Sequence, residues 1–396
     1  MVELLFLLLP LAFYSGWRAA RKNFKNNQQK QRQLSGHFVK GVNFLLSEEP
    51  DKALEVFLNY PDIDEYTAET YHLLGNMFRN RGEVDRALRV HQNLIARANI
   101  NTEQKHKAMF SLGKDFFSAG MLDRAESVFQ ELLSNSQSSK TISKASICSA
   151  LRTIYEQTQE WQKAIDSADC TNNQRLKKAA TGNDIPPNVL ISHYYCELAD
   201  VALSEGNIHE VDHVMKKAKS AYKQSTRLMC LEGDVAYHQK QYSKALKQYL
   251  LAIKSDSRLL SMLSKKIEYC ASETDAFPSL QKSLISIYQK SKDKSVFEAI
   301  LGFSQKSGSS EQIDELIQNE LIERKLNIES IYKASDYIES QSGDIGKDEG
   351  LLLIKTSLGN YLKGVPAFHC EHCGYKMHDY LWRCPACHQW DTIDHA

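Results

Sequence analysis

The chain has 396 residues, of which 42% are hydrophobic and 25% are charged, so its composition is that of a folded protein rather than a disordered one. Its 49 basic and 49 acidic residues balance, which leaves no overall positive charge to attract nucleic acid. The length suits about two or three ordinary domains, or one extended repeat array.

The chain begins with an apolar run, MVELLFLLLPLAFYSGW, in which Glu3 is the only charge. This is close to the shortest length that crosses ~30 Å of hydrocarbon. Basic residues follow the run and none precedes it, the reverse of a cleaved signal peptide. We therefore predict a single transmembrane anchor at 1–20 and a basic juxtamembrane linker at 21–36, drawn to anionic membrane lipid. The positive-inside rule would place the N-terminus outside and residues 18–396 in the cytoplasm; a signal peptide or a buried core helix is the alternative.

A repeat occupies residues 37–255, where a glycine recurs twelve residues before an alanine and an aromatic residue often follows that alanine by four. Successive frame positions are 34 to 47 residues apart. This pattern is typical of tetratricopeptide repeats, because small residues permit close helix crossings and aromatic rings fill the opposite holes. A non-repeat helical bundle is the alternative. The glycine and alanine pairs are Gly41/Ala53, Gly75/Ala87, Gly113/Ala125 and Gly233/Ala245.

Gly82, Gly120 and Gly206 are predicted to form the turns within helix pairs, and segment 171–188 is predicted to be an insertion loop. Residues 256–364 keep amphipathic helices without the repeat signature, which predicts degenerate helical repeats. Such an array offers a concave groove, formed by the first helix of each pair, that binds peptides or protein segments. Asn76, Arg79 and Lys114 lie beside frame glycines and are candidate partner-binding residues; the alternative is that they are only solvated.

Two Cys-x-x-Cys pairs, Cys370/Cys373 and Cys384/Cys387, close the chain and define a small domain at 365–396. Four thiolates in a tetrahedral array bind one zinc or iron ion. Disulfides are the alternative, and a cytoplasmic location argues against them. Gly374 supplies backbone freedom after the first pair.

The remaining residues of this terminal segment have simpler expected roles. Its aromatic residues are expected to form a minimal core, and its histidines to lie at the surface because four thiolates already complete the site. The isolated cysteines are expected to be ordinary core or surface residues. The aromatic residues meant here are Tyr375, Tyr380, Trp382 and Trp390, and the histidines close to the cysteines are His369, His372, His378 and His388. The isolated cysteines lie earlier in the chain, at Cys148, Cys170, Cys196, Cys230 and Cys270.

The order of these parts resembles the lipopolysaccharide assembly protein B family. The stretches that carry the resemblance are ELLFLLLP, GVNFLLS, RGEVDRA, EWQKAID, YCELA and CPACHQW. It covers essentially the whole chain and is weakest between about residues 256 and 365. The expected fold is all-α: a tetratricopeptide-repeat solenoid with an N-terminal transmembrane helix and a C-terminal rubredoxin-like metal knuckle.

The resemblance implies a non-enzymatic adaptor that crosses the inner membrane once, with a periplasmic N-terminus and the bulk of the chain in the cytoplasm. Members of that family promote proteolysis, by the membrane-bound AAA+ protease FtsH, of the deacetylase that commits precursor to lipid A. FtsH, the deacetylase as client and other inner-membrane lipopolysaccharide-assembly proteins are the implied partners. It also implies that Cys370, Cys373, Cys384 and Cys387 hold a rubredoxin-type iron, whereas their spacing alone leaves iron and zinc open.

Two other classes of function are weighed against the adaptor. A rubredoxin-type electron-transfer protein would use the same four cysteines, but the interval between the pairs is short for that family. A zinc ribbon that binds nucleic acid would need basic residues, and segment 365–396 carries only Lys376 and Arg383 against four acidic side chains. No nucleophile–base set and no phosphate-binding glycine loop is recognisable in the sequence.

Overall fold

The computed structural model of the protein describes residues 18, 40–41, 43–44, 47, 49–59, 65–98, 100–135, 142–171, 185–307, 311–322, 327–342 and 349–395. Apart from Arg18, the predicted anchor and linker lie outside these residues, as does most of the predicted insertion loop. Within the described ranges, no helix combines the length and the apolar character needed to cross a bilayer.

The chain divides into two compact units, Met1–Leu176 and Lys177–Ala396. The described part of the first unit consists of helices that pack in consecutive pairs, as predicted. These are α1 (Pro50–Leu58), α2 (Glu65–Asn80), α3 (Val84–Ala96), α4 (Thr102–Ser118), α5 (Leu122–Ser134), α6 (Lys144–Thr158) and α7 (Trp161–Thr171).

The second unit continues the helix pairs beyond residue 256 and ends in a small sheet. Its helices are α8 (Pro187–Ser204), α9 (Ile208–Ala221), α10 (Thr226–His238), α11 (Tyr242–Ser255), α12 (Leu260–Glu273), α13 (Phe277–Ser291), α14 (Lys294–Ser307), α15 (Glu311–Ile322), α16 (Ile328–Ser342) and α17 (Glu349–Lys363). The strands β1 (Phe368–Cys370), β2 (Lys376–Met377) and β3 (Ile393–His395) form an antiparallel sheet in the order β2-β1-β3.

Each frame glycine lies where the second helix of its pair crosses the first. A Cβ added to Gly113 would lie 2.6 Å from the ring of Phe129, closer than real Cβ contacts allow. The frame alanines are fully buried. The predicted steric origin of the repeat is therefore confirmed, with the ring supplied by the residue sixteen positions after the glycine. The four glycine–ring pairs are Gly41–Phe57, Gly75–His91, Gly113–Phe129 and Gly233–Tyr249.

The turns within pairs use a residue in the left-handed conformation. Gly82, Gly120 and Gly206 have φ values of 79°, 74° and 74°, which glycine adopts without a Cβ clash. The Gly82 amide donates to the carbonyl of Arg79 at 2.9 Å and so satisfies one free carbonyl at the helix end. Lys240, with φ of 58°, follows α10 in the same conformation. The predicted turn glycines are confirmed.

One pair of cysteines departs from the sequence-based expectation. Cys148 in α6 and Cys170 in α7 form a disulfide, with Cα atoms 6.2 Å apart. The prediction that both are ordinary isolated residues is wrong, because the two helices pack as a pair and bring residues 22 positions apart in sequence into contact. Cys196, Cys230 and Cys270 are free and buried, as expected.

Candidate metal centre and partner-binding cavity

The metal centre is built from two similar turns. In the first, the Cys370 amide donates to the carbonyl of Tyr375 at 2.8 Å; in the second, the Cys384 amide donates to the carbonyl of Gln389 at the same distance. The residue after each second cysteine is left-handed: Gly374 has φ of 75° and His388 has φ of 60°. Each turn therefore presents two sulfurs on one side, and the sheet holds the first turn beside β3.

The four cysteine sulfurs converge. Their Sγ atoms all lie within 4.8 Å of one another. The Sγ atoms of Cys370 and Cys387 are 3.7 Å apart, and those of Cys373 and Cys384 are also 3.7 Å apart. Sulfurs placed at ~2.3 Å from a central ion in a tetrahedron are about 3.8 Å apart. The donor set and its spacing therefore fit one tetrahedrally bound ion.

The pKa values of the thiols shift in opposite directions. Burial opposes ionisation of Cys370, but hydrogen bonds from Thr392 and from the amides of residues 372 and 373 outweigh it and lower the pKa of this thiol to about 6. Burial, and then the neighbouring cysteines, raise the pKa of Cys387 to about 12. Four thiolates this close repel one another, and a bound cation removes that repulsion because its own charge dominates the site.

The neighbouring aromatic and histidine side chains divide between core and surface. Trp390 and Tyr380 are buried, as predicted, whereas Tyr375 is 47% exposed, so the expectation that Tyr375 belongs to the core is wrong. The side chains of His372, His378 and His388 are exposed, as expected, and His369 in β1 is half-buried. Among the described residues, the four-sulfur cluster includes no histidine nitrogen.

The metal knuckle, residues 368–395, shares its core with the helices of the second unit. Most of its buried side chains belong to one apolar cluster with residues of α10 to α16. A segment this short buries too little apolar surface by itself, so this shared core adds stability that the knuckle lacks alone. The knuckle residues in the cluster are Phe368, Cys370, Met377, Tyr380, Cys384 and Ile393.

Polar contacts also join the knuckle to the helices around this shared core. Arg258, just before α12, donates to the carbonyl of Ile393 at 3.0 Å. The hydroxyl of Ser295 in α14 lies 3.0 Å from Nε2 of His395. The ring of Trp390 stacks on His193 of α8, with centroids 4.9 Å apart. Three separate helical segments therefore contact the knuckle.

Arg227 of α10 is the central contact between helices and knuckle. It is buried, and its guanidinium carbon lies 5.6 Å from the ring centroid of Trp390 and 5.7 Å from that of Trp382. The same group pairs with Glu197 and Asp200 of α8, each at 2.9 Å. Sequence reasoning missed Arg227 because nothing in a single sequence connects an arginine in a repeat with tryptophans about 160 positions later.

Comparisons with known proteins agree with this geometry. Residues 368–395 match the family model described as rubredoxin metal binding domain, and residues 70–105 match the model described as tetratricopeptide repeat. The lipopolysaccharide assembly protein B of Escherichia coli (strain K12) is 33% identical over 99% of this chain and 98% of its own length. The chain belongs to the lipopolysaccharide assembly protein B family.

Two further similarities are found. The lipopolysaccharide assembly protein B of Haemophilus influenzae is 31% identical, again over 99% of this chain and 98% of its own length. A tetratricopeptide repeat protein from Parabacteroides merdae, known from a crystal structure, covers 74% of this chain and 98% of its own with 13% identity and a TM-score of 0.33.

This member of the lipopolysaccharide assembly protein B family also has a cavity of about 320 Å³ in its first unit. Helices α2, α4 and the start of α6, which are the first helices of three consecutive pairs, line this first-helix cavity. The three candidate partner-binding residues, Asn76, Arg79 and Lys114, all contribute to its wall. Asn76 and Lys114 lie on the same wall because they occupy equivalent positions, each directly after a frame glycine. Their role in binding stays a prediction.

Arg79 differs from the other two because it is already engaged. Its Nη1 pairs with Asp115 at 2.8 Å and its Nη2 donates to Asn76 at 2.6 Å. Asp115 is fully buried and also lies 2.5 Å from Nδ1 of His91, the ring that fills the space beside Gly75. Arg79 therefore connects the cavity wall to the packing of the repeat, and its positive charge is largely balanced by Asp115.

Lys114 gives the cavity its available positive charge. Its Nζ lies 4.7 Å from the ring centroid of Phe110, and burial, with the nearby Arg79 charge as a second cause, lowers the pKa of its ammonium group. Lys107 lines the same cavity and pairs with Glu69 at 3.2 Å. Burial, followed by the proximity of His91, lowers the pKa of His72 to about 4, so its ring is neutral at pH 7.

Proposed function

We propose that the protein is a non-catalytic adaptor, anchored by one N-terminal span in the inner membrane, that promotes proteolysis of the lipid A-committing deacetylase by FtsH. The relatives are named for lipopolysaccharide assembly, which supports the process but says nothing about the route. Anchoring adaptor and protease in one membrane raises their effective concentration without any new contact. The bulk of the chain would then face the cytoplasm.

The observation that carries the adaptor role is the first-helix cavity. It is a recess of modest size built on three consecutive repeats, and Lys114 at its wall suits an acidic side chain of a bound segment, whereas Lys107 is paired with Glu69 of the same wall. A hydrolytic site is disfavoured at the same place. The hydroxyl of Ser111 lies 3.4 Å from Nε2 of His72, beyond the range of a productive nucleophile–base hydrogen bond, and a histidine with a pKa of about 4 is a weak base.

The metal knuckle serves the adaptor as a structural part. Its four ligand positions are all filled by cysteine, which leaves no open position for a substrate. Iron, by resemblance to rubredoxins, and zinc both suit this donor set. Metal analysis of protein purified without added metal distinguishes them, and a redox titration of that protein tests the electron-transfer alternative.

Nucleic-acid binding receives little support from the described knuckle. Arg383, one of its two basic residues, lies 5.8 Å from the ring centroid of Trp390 and donates to the carbonyl of His388 at 3.1 Å. That side chain is therefore engaged within the knuckle, and acidic residues outnumber basic ones there. A binding assay with RNA and DNA over a range of salt concentrations tests this alternative.

The proteolysis route is tested in cells that lack their own copy of the adaptor. Expression of the full chain should shorten the half-life of the deacetylase, and depletion of FtsH should abolish that effect. The variant Lys107→Glu/Lys114→Glu should lengthen the half-life again, whereas Lys216→Glu/Lys217→Glu, on α9 of the second unit, should not. A half-life that does not respond to the wild-type chain overturns the route; an unaltered response in the first variant moves the client contact away from this cavity.

The proposed topology has its own test in the Cys148–Cys170 pair. The structure joins these two sulfurs, but disulfides are rare in the bacterial cytoplasm, where the proposed topology places them, and persist in the periplasm. We therefore expect both thiols to be reduced in cells, and to form the bond only after exposure to oxidant. Acid quenching followed by alkylation of the denatured chain measures this, with Cys148→Ser as the reference for the unbonded state. A fully oxidised pair in growing cells would place the first unit on the periplasmic side.

A further inference from the structure

The second unit has a groove that the proposed function does not use. It lies between α11 and α13, the second helices of two consecutive pairs, and has a volume of about 950 Å³. This is at the upper end of the ~300–1,000 Å³ typical of ligand-binding clefts. Four lysines line it, Lys247 and Lys254 on α11 and Lys282 and Lys290 on α13. We call it the lysine groove.

The charge of the lysine groove has one sign. None of the described residues that line it is acidic, although the chain as a whole contains 49 acidic and 49 basic residues. Within the described part of the chain, no carboxylate forms an ion pair with any of the four lysines. Three acidic residues are adjacent in sequence to the lining: Asp256, which is paired with Arg258 at 2.9 Å, and Glu273 and Asp275, which flank Thr274. The described lining therefore carries four lysines that no carboxylate of the described residues pairs with.

The spacing of the lysines follows the helices. Lys247 and Lys254 are seven residues apart, and Lys282 and Lys290 are eight apart, so each pair lies on one face of its helix. At ~1.5 Å rise per residue, the charges on each wall are about 10–12 Å apart along the groove. That separation matches acidic residues about seven positions apart on a helix, or about three to four positions apart on an extended segment.

Between the lysines, the groove is apolar. Leu250 and Ile287 are partly buried, and Leu251 is 45% exposed. An anion without apolar groups would leave these side chains uncovered, whereas an amphipathic segment covers them and meets the lysines at the same time. A flat membrane surface would meet the exposed lysines but would leave the partly buried Leu250 and Ile287 uncovered. The combination fits a protein segment with one apolar and one acidic stripe.

We propose that the lysine groove is a docking site for an acidic amphipathic segment of a partner protein. The apolar stripe of that segment packs on Leu250, Leu251 and Ile287, and its carboxylates pair with the four lysines. The site is separate from the first-helix cavity in sequence, in unit and in the helices that form it. It does not depend on the lipopolysaccharide role, so the two proposals fail independently.

The test uses the purified full-length chain and a fluorescein-labelled peptide of about twelve residues, made of glutamate and leucine at helical spacing. Fluorescence anisotropy measures binding. We expect saturable binding that weakens as salt rises, and no binding of a sister peptide in which lysine replaces glutamate. The variant Lys247→Gln/Lys254→Gln/Lys282→Gln/Lys290→Gln should lose about 30-fold in affinity, from four exposed charge pairs of modest strength.

A matched control removes the same number of exposed lysines from elsewhere in the second unit: Lys216→Gln/Lys223→Gln/Lys240→Gln/Lys265→Gln. It should bind the peptide with unchanged affinity. Leu251→Ser, which keeps every charge, should also weaken binding, because it removes an apolar contact between the groove and the leucines of the peptide. Equal losses in the groove variant and the control would show nonspecific attraction and overturn the proposal. So would groove-dependent binding to vesicles of phosphatidylglycerol without binding to the peptide.

Discussion

The α10–α11 helix pair and the metal knuckle belong to the same buried cluster, yet they are held in opposite ways. In the helix pair, the ring of Tyr249 fills the space beside Gly233, and fully buried Ala245 lies in the same pair of helices. In the knuckle, three strands of two or three residues carry four thiols that need a cation. The helix pair is stabilised by close packing of its side chains. The knuckle is stabilised by a bound ion and by contacts with the neighbouring helices.

This difference predicts where damage spreads. A repeat contacts mainly the adjacent repeats, so its loss is local and graded. The knuckle has too little apolar surface to fold without its metal, so its loss is all-or-none. Because Arg227, Arg258 and Ser295 reach it from three helical segments, an unfolded knuckle also removes partners from the helices. The chain therefore combines a helical array that should lose structure gradually with a C-terminal knuckle that should lose it in one step.

The largest expected effect comes from Cys384→Ser. A structural metal site contributes ~10–16 kcal/mol of apparent binding energy in small zinc peptides, so the loss of one ligand should unfold the knuckle. We expect loss of metal and exposure of Trp390, which is 2% exposed in the folded protein, while helical circular dichroism falls little. Metal analysis and tryptophan fluorescence measure both.

The control variant Cys196→Ala, at a buried cysteine of α8, should keep its metal. A metal-free Cys384→Ser protein in which Trp390 stays buried would contradict the argument.

The next effect tests the attachment of the knuckle and leaves its metal ligands intact. Arg227→Met keeps apolar bulk beside Trp382 and Trp390 but leaves Glu197 and Asp200 without their cation. A fully buried pair would lose ~3–5 kcal/mol, and we expect about 2 kcal/mol because the Asp200 side chain is 47% exposed. The result should be faster metal transfer to a chelator and faster proteolysis after α17.

Arg152→Met is the control for that variant, because Arg152 pairs only with Glu156 of its own helix among the ion pairs described, at 3.7 Å in the first unit. It should leave chelation kinetics unchanged. If Arg227→Met released metal no faster than this control, attachment of the knuckle would depend on the shared apolar core alone.

The sequence predicted those features that depend on local or periodic chemistry. The helix pairs, the turn glycines and the four-cysteine cluster follow from spacing, because each requires a given residue type at a given interval. Asn76 and Lys114 could be placed on one wall for the same reason. Arg227 and the Cys148–Cys170 bond could not be predicted, because both depend on which helix faces meet in three dimensions. Tyr375 was misplaced because its aromatic ring suggested core, whereas its turn points outward.

The steric basis of the repeat is tested by two helical glycines in contrasting surroundings. Gly113→Ala would place a Cβ 2.6 Å from the ring of Phe129, and such overpacking costs ~1–3 kcal/mol in the free energy of unfolding. Gly302→Ala, in α14, meets nothing within 4 Å and should stabilise by up to ~1 kcal/mol through helix propensity. Chemical denaturation followed by circular dichroism measures both.

A smaller side chain at the contact provides the matched rescue. Adding Phe129→Leu to Gly113→Ala should recover part of the loss, because the ring and the new methyl group compete for the same space. If Gly113→Ala were as harmless as Gly302→Ala, the glycine would be there for a reason other than this close approach.

The smallest expected effect is the pH dependence contributed by His72. Its pKa is lowered from 6.5 to about 4 in the folded chain, first by burial and then by His91. Between those values the unfolded chain binds more protons, so the contribution of His72 to stability falls as the pH drops from about 6.5 towards 4 and is fully present above that window. The full shift would correspond to ~3 kcal/mol, and we expect about 1 kcal/mol because solvent reaches part of the ring.

His72→Gln should therefore flatten the stability profile of the first unit between pH 6.5 and 4, whereas His209→Gln, at an exposed position of α9, should not. Denaturation midpoints at several pH values measure this, and a slope unchanged by His72→Gln would assign the acid sensitivity to groups outside the first-helix cavity.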